Sequence, residues 1–181
     1  RRGQPTNHVR FGEATAILAG DGLLTLAFEM VAQLKPDAAA VLGCRDLATG
    51  AGIEGMVGGQ QADLEAETGR LICAALRMGA HIAGAAEVLV DRLTQYGERI
   101  GLAFQIADDL LDLTSTSEKL GKGTQKDAQR NKLTYPSLLG LDESRRRAER
   151  LVAEAIEVLE PFGERGRALR ALAAYVVWRE T

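Results

Sequence analysis

Aromatic residues make up only 4% of the 181 positions, and the chain has 2 cysteines, 2 histidines and 4 prolines. Each shortage excludes a class of function. Cys44 and Cys73 each sit among alanines and leucines, so they read as reduced thiols in a core, and a cytoplasmic location is expected. With His8 and His81 alone, zinc lacks ligands. A ferritin-like site needs Glu-x-x-His, but Pro5 and Met78 precede the two histidines by three positions. Neither residue type has partners at spacings that suggest nucleophilic catalysis. Charge of one sign is also missing: 22 Lys+Arg face 25 Asp+Glu, a net charge of -3. A basic face for nucleic acid or for an anionic membrane is therefore not expected. No apolar run approaches the ~20 residues of a membrane-spanning helix, and RRGQPTNHVR carries no signal-peptide core. A soluble protein without membrane insertion is the expectation.

What is abundant points to helices. Alanine and leucine, both strong helix formers, dominate the sequence, and β-branched or aromatic residues never alternate over a strand's length. An all-α fold is predicted. The 20 glycines exceed the usual ~7% and predict broken helices or close backbone packing. With no repeat, linker or low-complexity tract, residues 1–181 read as a single helical domain.

Apolar spacing predicts helices over 12–34, 36–67 (interrupted by glycines), 68–86 with Thr68 as a cap, and 88–114. Residues 115–132, STSEKLGKGTQKDAQRNK, lose the periodicity and read as a long functional loop. A turn over 134–139 follows. Helices are then expected over 141–159, capped by Asp142 and closed by Pro161, and over 166–179, with Leu169, Leu172, Val176 and Val177 facing inward. His81 reads as a packed or surface residue, and Trp178 as core.

One constellation carries chemistry. Gln105, Asp108, Asp109 and Asp112 fall at i, i+3, i+4 and i+7, a single polar stripe on a helix otherwise filled by Leu102, Ala103, Ile106, Ala107, Leu110, Leu111 and Leu113. The nearest basic residues, Arg99 and Lys119, lie more than a turn away. Like charges at i,i+4 repel by ~0.2–0.5 kcal/mol per exposed pair, so a cation is expected to compensate. Hard carboxylate oxygens with no His or Cys suit Mg²⁺, or Mn²⁺, which completes its shell from water and substrate phosphate. A solvated acidic face is the plain alternative. Lys122, Lys126, Arg130 and Lys132 follow closely, with Gly121 and Gly123 flanking the first. Carboxylates that hold metal, followed by a basic loop, can grip a diphosphate from both sides.

These residues resemble the trans-isoprenyl diphosphate synthase (polyprenyl synthetase) family, in particular its bacterial farnesyl diphosphate synthase type. Phe104-Gln105-Ile106-Ala107-Asp108-Asp109-Leu110-Leu111-Asp112 is similar to the family's second aspartate-rich motif. Gly121-Lys122 through Asp127 and Asn131-Lys132-Leu133-Thr134-Tyr135-Pro136 resemble its lysine loop, and residues 12–21 and 55–60 resemble two further segments. Arg1-Arg2-Gly3 with Pro5-Thr6-Asn7-His8 looks like the stretch just after the first aspartate-rich motif, so the sequence reads as the C-terminal part of a family member. The family usually has more residues between 65 and 68, ending in a lysine that this sequence lacks before Thr68.

The resemblance implies an antiparallel helical bundle around a central active-site cavity, the isoprenoid synthase fold, seen without its N-terminal helices and usually homodimeric. It implies a prenyl transferase that ionises an allylic diphosphate (dimethylallyl or geranyl) and condenses it with isopentenyl diphosphate to make farnesyl diphosphate. Asp108, Asp109 and Asp112 would bind metal, and Lys122 would hold the allylic diphosphate. Arg1 and Arg2 would bind the two diphosphates, with Thr68, Gln105 and Lys132 near the substrate. Geranylgeranyl diphosphate synthase is the alternative within the fold. A non-catalytic helical homologue that lacks the first aspartate-rich motif is the alternative outside enzymes, and terpene cyclases fit the lysine loop poorly.

Overall fold

The apolar three- and four-residue spacing folds as helices throughout the computed structural model, which describes residues 4–53, 55–57, 67–119 and 134–178. For residues 67, 68, 112, 114–119 and 178 the backbone alone is described. In chain order the helices are α1 (Asn7–Phe11), α2 (Glu13–Ala32), α3 (Asp37–Ala51), α4 (Glu67–Ile82), α5 (Glu87–Lys119), α6 (Tyr135–Leu139), α7 (Leu141–Val158) and α8 (Arg167–Trp178). A 3₁₀ segment, Glu160–Gly166, joins the last two. Among the described residues there is no strand, and the all-α expectation holds.

Helix α5 is the axis of the molecule. Val90, Leu93, Tyr96, Ile100, Ala103 and Ile106 recur along one face and are all buried, against Ala148, Leu151, Val152 and Ala155 of α7 and Ala173 and Val176 of α8. Each large apolar side chain buried this way contributes about 1.5–3 kcal/mol. The Tyr96 hydroxyl donates to the Leu169 carbonyl at 2.8 Å, which satisfies the polar end of a side chain only 1% exposed.

On its other side α5 meets α4, and α4 meets α3, and here the excess glycine finds its use. A Cβ placed on Gly101 would stand 2.2 Å from the Gly69 Cα, and one on Gly97 would stand 2.7 Å from the Cys73 sulfur. A Cβ on Gly50 would stand 2.6 Å from the Ala74 Cβ. The backbones approach because no side chain stands between them. Gly12 and Gly140 serve a different purpose: their φ values of 87° and 81° let the chain turn between α1 and α2 and between α6 and α7.

A polar group is buried in the same α3–α4–α5 layer. Asp46, 6% exposed, accepts from Arg77 Nε at 3.0 Å, and Arg77 also donates to the Thr94 hydroxyl at 3.2 Å. His81 Nδ1 comes within 2.9 Å of the other Asp46 oxygen, although the two atoms are not aligned for a hydrogen bond. His81 is therefore the packed histidine of the two expected possibilities.

Several boundaries differ from expectation. Residues 115–119 continue α5 as helix, since loss of apolar period does not by itself end a helix and neither Gly nor Pro interrupts before Gly121. Thr68 lies inside α4 rather than capping it, since the helix already includes Glu67. Helix α7 starts from Gly140 without a side-chain cap, and Asp142 sits within its first turn, where its charge favours the helix dipole. Pro161 falls inside the 3₁₀ segment. Leu172 is 53% exposed, and Ala173 takes the inward position beside it. Cys44 and Cys73 are free thiols, only partly buried.

The largest correction concerns α2. It has 20 residues, an 18-residue window of which reaches a mean hydropathy of 1.5, long and apolar enough by composition to cross a membrane, and none of them is buried. Glycines, alanines and threonines separate its leucines, so no unbroken run of large apolar residues marks it in the sequence.

Candidate active site

The stripe sits near the C-terminal end of the described helix α5, just past the close α4–α5 approach. Behind it Ala103, Ile106 and Ala107 are buried, while Gln105, Asp108 and Asp109 are half-buried. The helix thus presents polar groups on one side and core on the other, as the i, i+3, i+4 spacing requires. Gly101 lies one turn before Gln105, and its partner Gly69 is the neighbour of Thr68 in the sequence. The glycine contact therefore brings the start of α4 against the helix that carries the stripe.

The structure also brings in a group that sequence reasoning missed. The backbone N–H of Tyr135, at the start of α6, donates to Asp109 Oδ2 at 3.2 Å. A local signal announced the helix start: Thr134 and Ser137 form a capping box, Ser137 N–H donating to the Thr134 hydroxyl at 3.3 Å and Thr134 N–H to the Ser137 hydroxyl at 3.0 Å. Nothing in the sequence announced its carboxylate partner 26 positions earlier. The expected uncompensated repulsion along the stripe is thereby reduced, because an amide at a helix start carries partial positive charge.

Arg99 points its charge elsewhere, with a guanidinium N–H donating to the Gln95 carbonyl at 2.9 Å and Nε 3.6 Å from Glu154. Of the predicted site residues, Gln105, Asp108 and Asp109 are brought together on α5. Asp112 and Thr68 are placed by backbone only. Arg1, Arg2, Lys122 and Lys132 lie outside the described residues. Among described residues no group of three or more His, Cys, Asp or Glu side chains converges, and the Asp112 side chain is not among those described.

Residues 1–172 match the family model for polyprenyl synthetase. The chain belongs to the polyprenyl synthetase family. It is 42% identical to farnesyl diphosphate synthase of Escherichia coli over 203 residues, covering 99% of this chain and 68% of that protein. It is 44% identical to a geranylgeranyl diphosphate synthase of Cyanophora paradoxa, covering 99% of this chain and 66% of that protein. An FPP/GFPP synthase from Zymomonas mobilis superposes with a TM-score of 0.83 at 37% identity, covering 97% of this chain and 65% of the other. The chain thus spans about two thirds of the length of these family members, and 58% of a dimethylallyltranstransferase of Fischerella ambigua that is 44% identical over 99% of this chain. The alignment to the Escherichia coli protein runs over more positions than the 181 residues available, so the relative carries residues inside the matched stretch that this chain lacks.

Proposed function

We propose that the full protein is a magnesium-dependent short-chain prenyl transferase that condenses dimethylallyl or geranyl diphosphate with isopentenyl diphosphate to make farnesyl diphosphate. One observation carries the reading: in a polyprenyl synthetase chain, Gln105, Asp108 and Asp109 form a half-buried polar stripe on a helix whose opposite face is core. Carboxylate oxygens alone, with no sulfur or imidazole beside them, are a donor set that fits a hard divalent cation. Asp108, Asp109 and Asp112 would hold it. When bound, Mg²⁺ supplies positive charge to the departing diphosphate.

The chain's own residues do the rest. The aspartates fix where that charge sits, and Gln105, one turn earlier, offers an amide to the substrate side of the stripe. The leucines and alanines around the stripe exclude water from a developing allylic cation that water would quench. Lys122, Lys132, Arg1, Arg2 and Thr68 are proposed to neutralise or contact the diphosphates, as the resemblance implies.

The same reading covers the partners. We take the unburied α2 to pack against a second copy of the chain, giving a homodimer. Asp21 at the middle of α2 argues against lipid, because an aspartate at the centre of a spanning helix costs about 2.5–3.5 kcal/mol. Free thiols at Cys44 and Cys73 suit the cytoplasm.

The test incubates the full-length protein with geranyl diphosphate, isopentenyl diphosphate and Mg²⁺ and measures product length. A C15 product supports the reading. No elongated product from folded protein refutes it and favours a non-catalytic homologue. A C20 product supports the second reading, geranylgeranyl diphosphate synthase, which the Cyanophora paradoxa relative makes specific. Asp108→Ala is expected to lower turnover by orders of magnitude with helicity unchanged.

A further inference from the structure

At the start of α6 most backbone donors are met from within the turn itself. Thr134 N–H is taken by the Ser137 hydroxyl, Ser137 N–H by the Thr134 hydroxyl, and Leu138 N–H by the Thr134 carbonyl, while Pro136 has no N–H to place. The amides of a first helical turn have no acceptor within their own helix, and leaving one unmet near the core is costly. Tyr135 N–H is the donor the local sequence cannot serve, and Asp109 Oδ2 serves it from α5. Both neighbours of the contact are anchored: Pro136 is buried and the Tyr135 side chain packs against the core cluster. The amide is therefore held by rigid surroundings, and it in turn holds the carboxylate.

We propose that Asp109 is a positioning residue, whose carboxylate joins α5 to the start of α6 through Tyr135 N–H and is oriented by it, so that Asp108 and Asp109, though adjacent, do different work. One Asp109 oxygen is committed to the chain. This rests on the prenyl-transferase reading for its catalytic consequence but not for the contact itself.

The test compares Asp109→Asn, which keeps an oxygen acceptor, with Asp109→Ala, which does not, in the full-length protein. Amide exchange at Tyr135 is expected to rise about tenfold or more in Asp109→Ala, the size of a lost charge-assisted hydrogen bond, and much less in Asp109→Asn. In kinetics with Mg²⁺ and both diphosphates, Asp109→Asn is expected to recover at least about tenfold of the kcat/KM lost in Asp109→Ala. Equal Tyr135 exchange in wild type and both variants overturns the proposal. So does an Asp109→Asn as inactive as Asp109→Ala, which would make Asp109 a metal ligand only. Should Asp109→Ala fail to fold, an Asp109→Asn whose Tyr135 amide opens as freely as an unstructured one overturns it, and one that stays protected supports it. A wild type that makes no product while Tyr135 exchange responds to Asp109→Ala leaves the contact standing and removes the activity reading instead.

Discussion

Helices α2 and α5 look alike as sequence, both long and apolar at helical spacing, yet they occupy opposite surroundings. None of the α2 residues is buried, with Ile17 at 65%, Leu23 at 68% and Met30 at 64% exposure, whereas Val90, Ala103 and Ile106 of α5 are sealed completely. Helix α5 receives its cover from α4, α7 and α8 of the same chain, while α2 touches α1 and α3 among the described elements. Periodicity identifies which residues need cover and is silent on where the cover comes from. An exposed apolar area of this extent needs cover that the described residues do not supply.

Removing the same atoms from both helices breaks or sharpens this contrast. Ile106→Ala is expected to cost about 2–5 kcal/mol at any protein concentration, because its cavity lies inside one chain. Ile17→Ala is expected to cost less than about 0.5 kcal/mol in dilute protein and progressively more as concentration rises, if a second copy covers α2. Urea denaturation at two concentrations measures both. An Ile17→Ala loss as large as that of Ile106→Ala, and independent of concentration, would show α2 to be covered within its own chain.

Charge divides the molecule in the same way. Asp46, beneath the α3–α4 packing, holds Arg77 at 3.0 Å, whereas Glu143 on α7 holds Arg146 and Arg150 at the surface. Asp46→Ala leaves Arg77 largely enclosed and unpaired, and about 3 kcal/mol of stability is expected to go. Glu143→Ala is expected to be nearly silent, although its carboxyl is held below the usual range by hydrogen bonds from Arg150 and Arg146. Thermal melts of the two variants should separate clearly; equal shifts would contradict the burial of Asp46.

Glycines give the third contrast, smaller in size. Gly101→Ala places a methyl against the Gly69 backbone and is expected to cost about 1–3 kcal/mol. Gly22→Ala, with nothing within 4 Å of its Cβ position, is expected to stabilise α2 by about 0.4–1 kcal/mol. A destabilising Gly22→Ala, seen only at high concentration, would report a second helix packed closely on that face.

These pairs show what the residues disclosed and what they could not. The stripe from Gln105 to Asp112 was legible because one helix supplies it, and helical geometry converts spacing directly into a face. The Tyr135 contact was not, since it joins positions separated by 26 residues and uses a backbone group that every residue type shares. The glycine excess predicted close packing but not its partners, because Gly101 meets Gly69 only once α4 and α5 are docked. Asp46, Arg77 and His81 each looked ordinary alone. Thr68 and Asp142 were read as caps that the backbone did not need, and the loss of apolar period after residue 114 was read as a helix end although α5 runs on to Lys119.

The smallest expected effect lies at the α4–α5 seam itself. Burial pushes the Cys73 thiol up to about 11, with Glu98 adding to the shift and Arg77 opposing it, and the sulfur sits 3.5 Å from the Thr94 carbonyl. The folded state therefore keeps its proton where an unfolded cysteine has lost it. The linkage has one sign: this contribution is complete below about pH 8.5, the unfolded value, and is lost as pH rises toward the folded one. Tyr96, raised to about 12 by burial, adds a loss of the same sign that begins only above about pH 10. Stability measured between pH 8.5 and 10 thus isolates the thiol. It is expected to decline in the wild type and to decline less in Cys73→Ala. Iodoacetamide at pH 9 should modify Cys73 much more slowly in the folded chain than in urea, because the reacting species is the thiolate. Rapid modification of folded Cys73 would mean that the seam opens, and that α5 is less firmly enclosed by its own chain than its contrast with α2 requires.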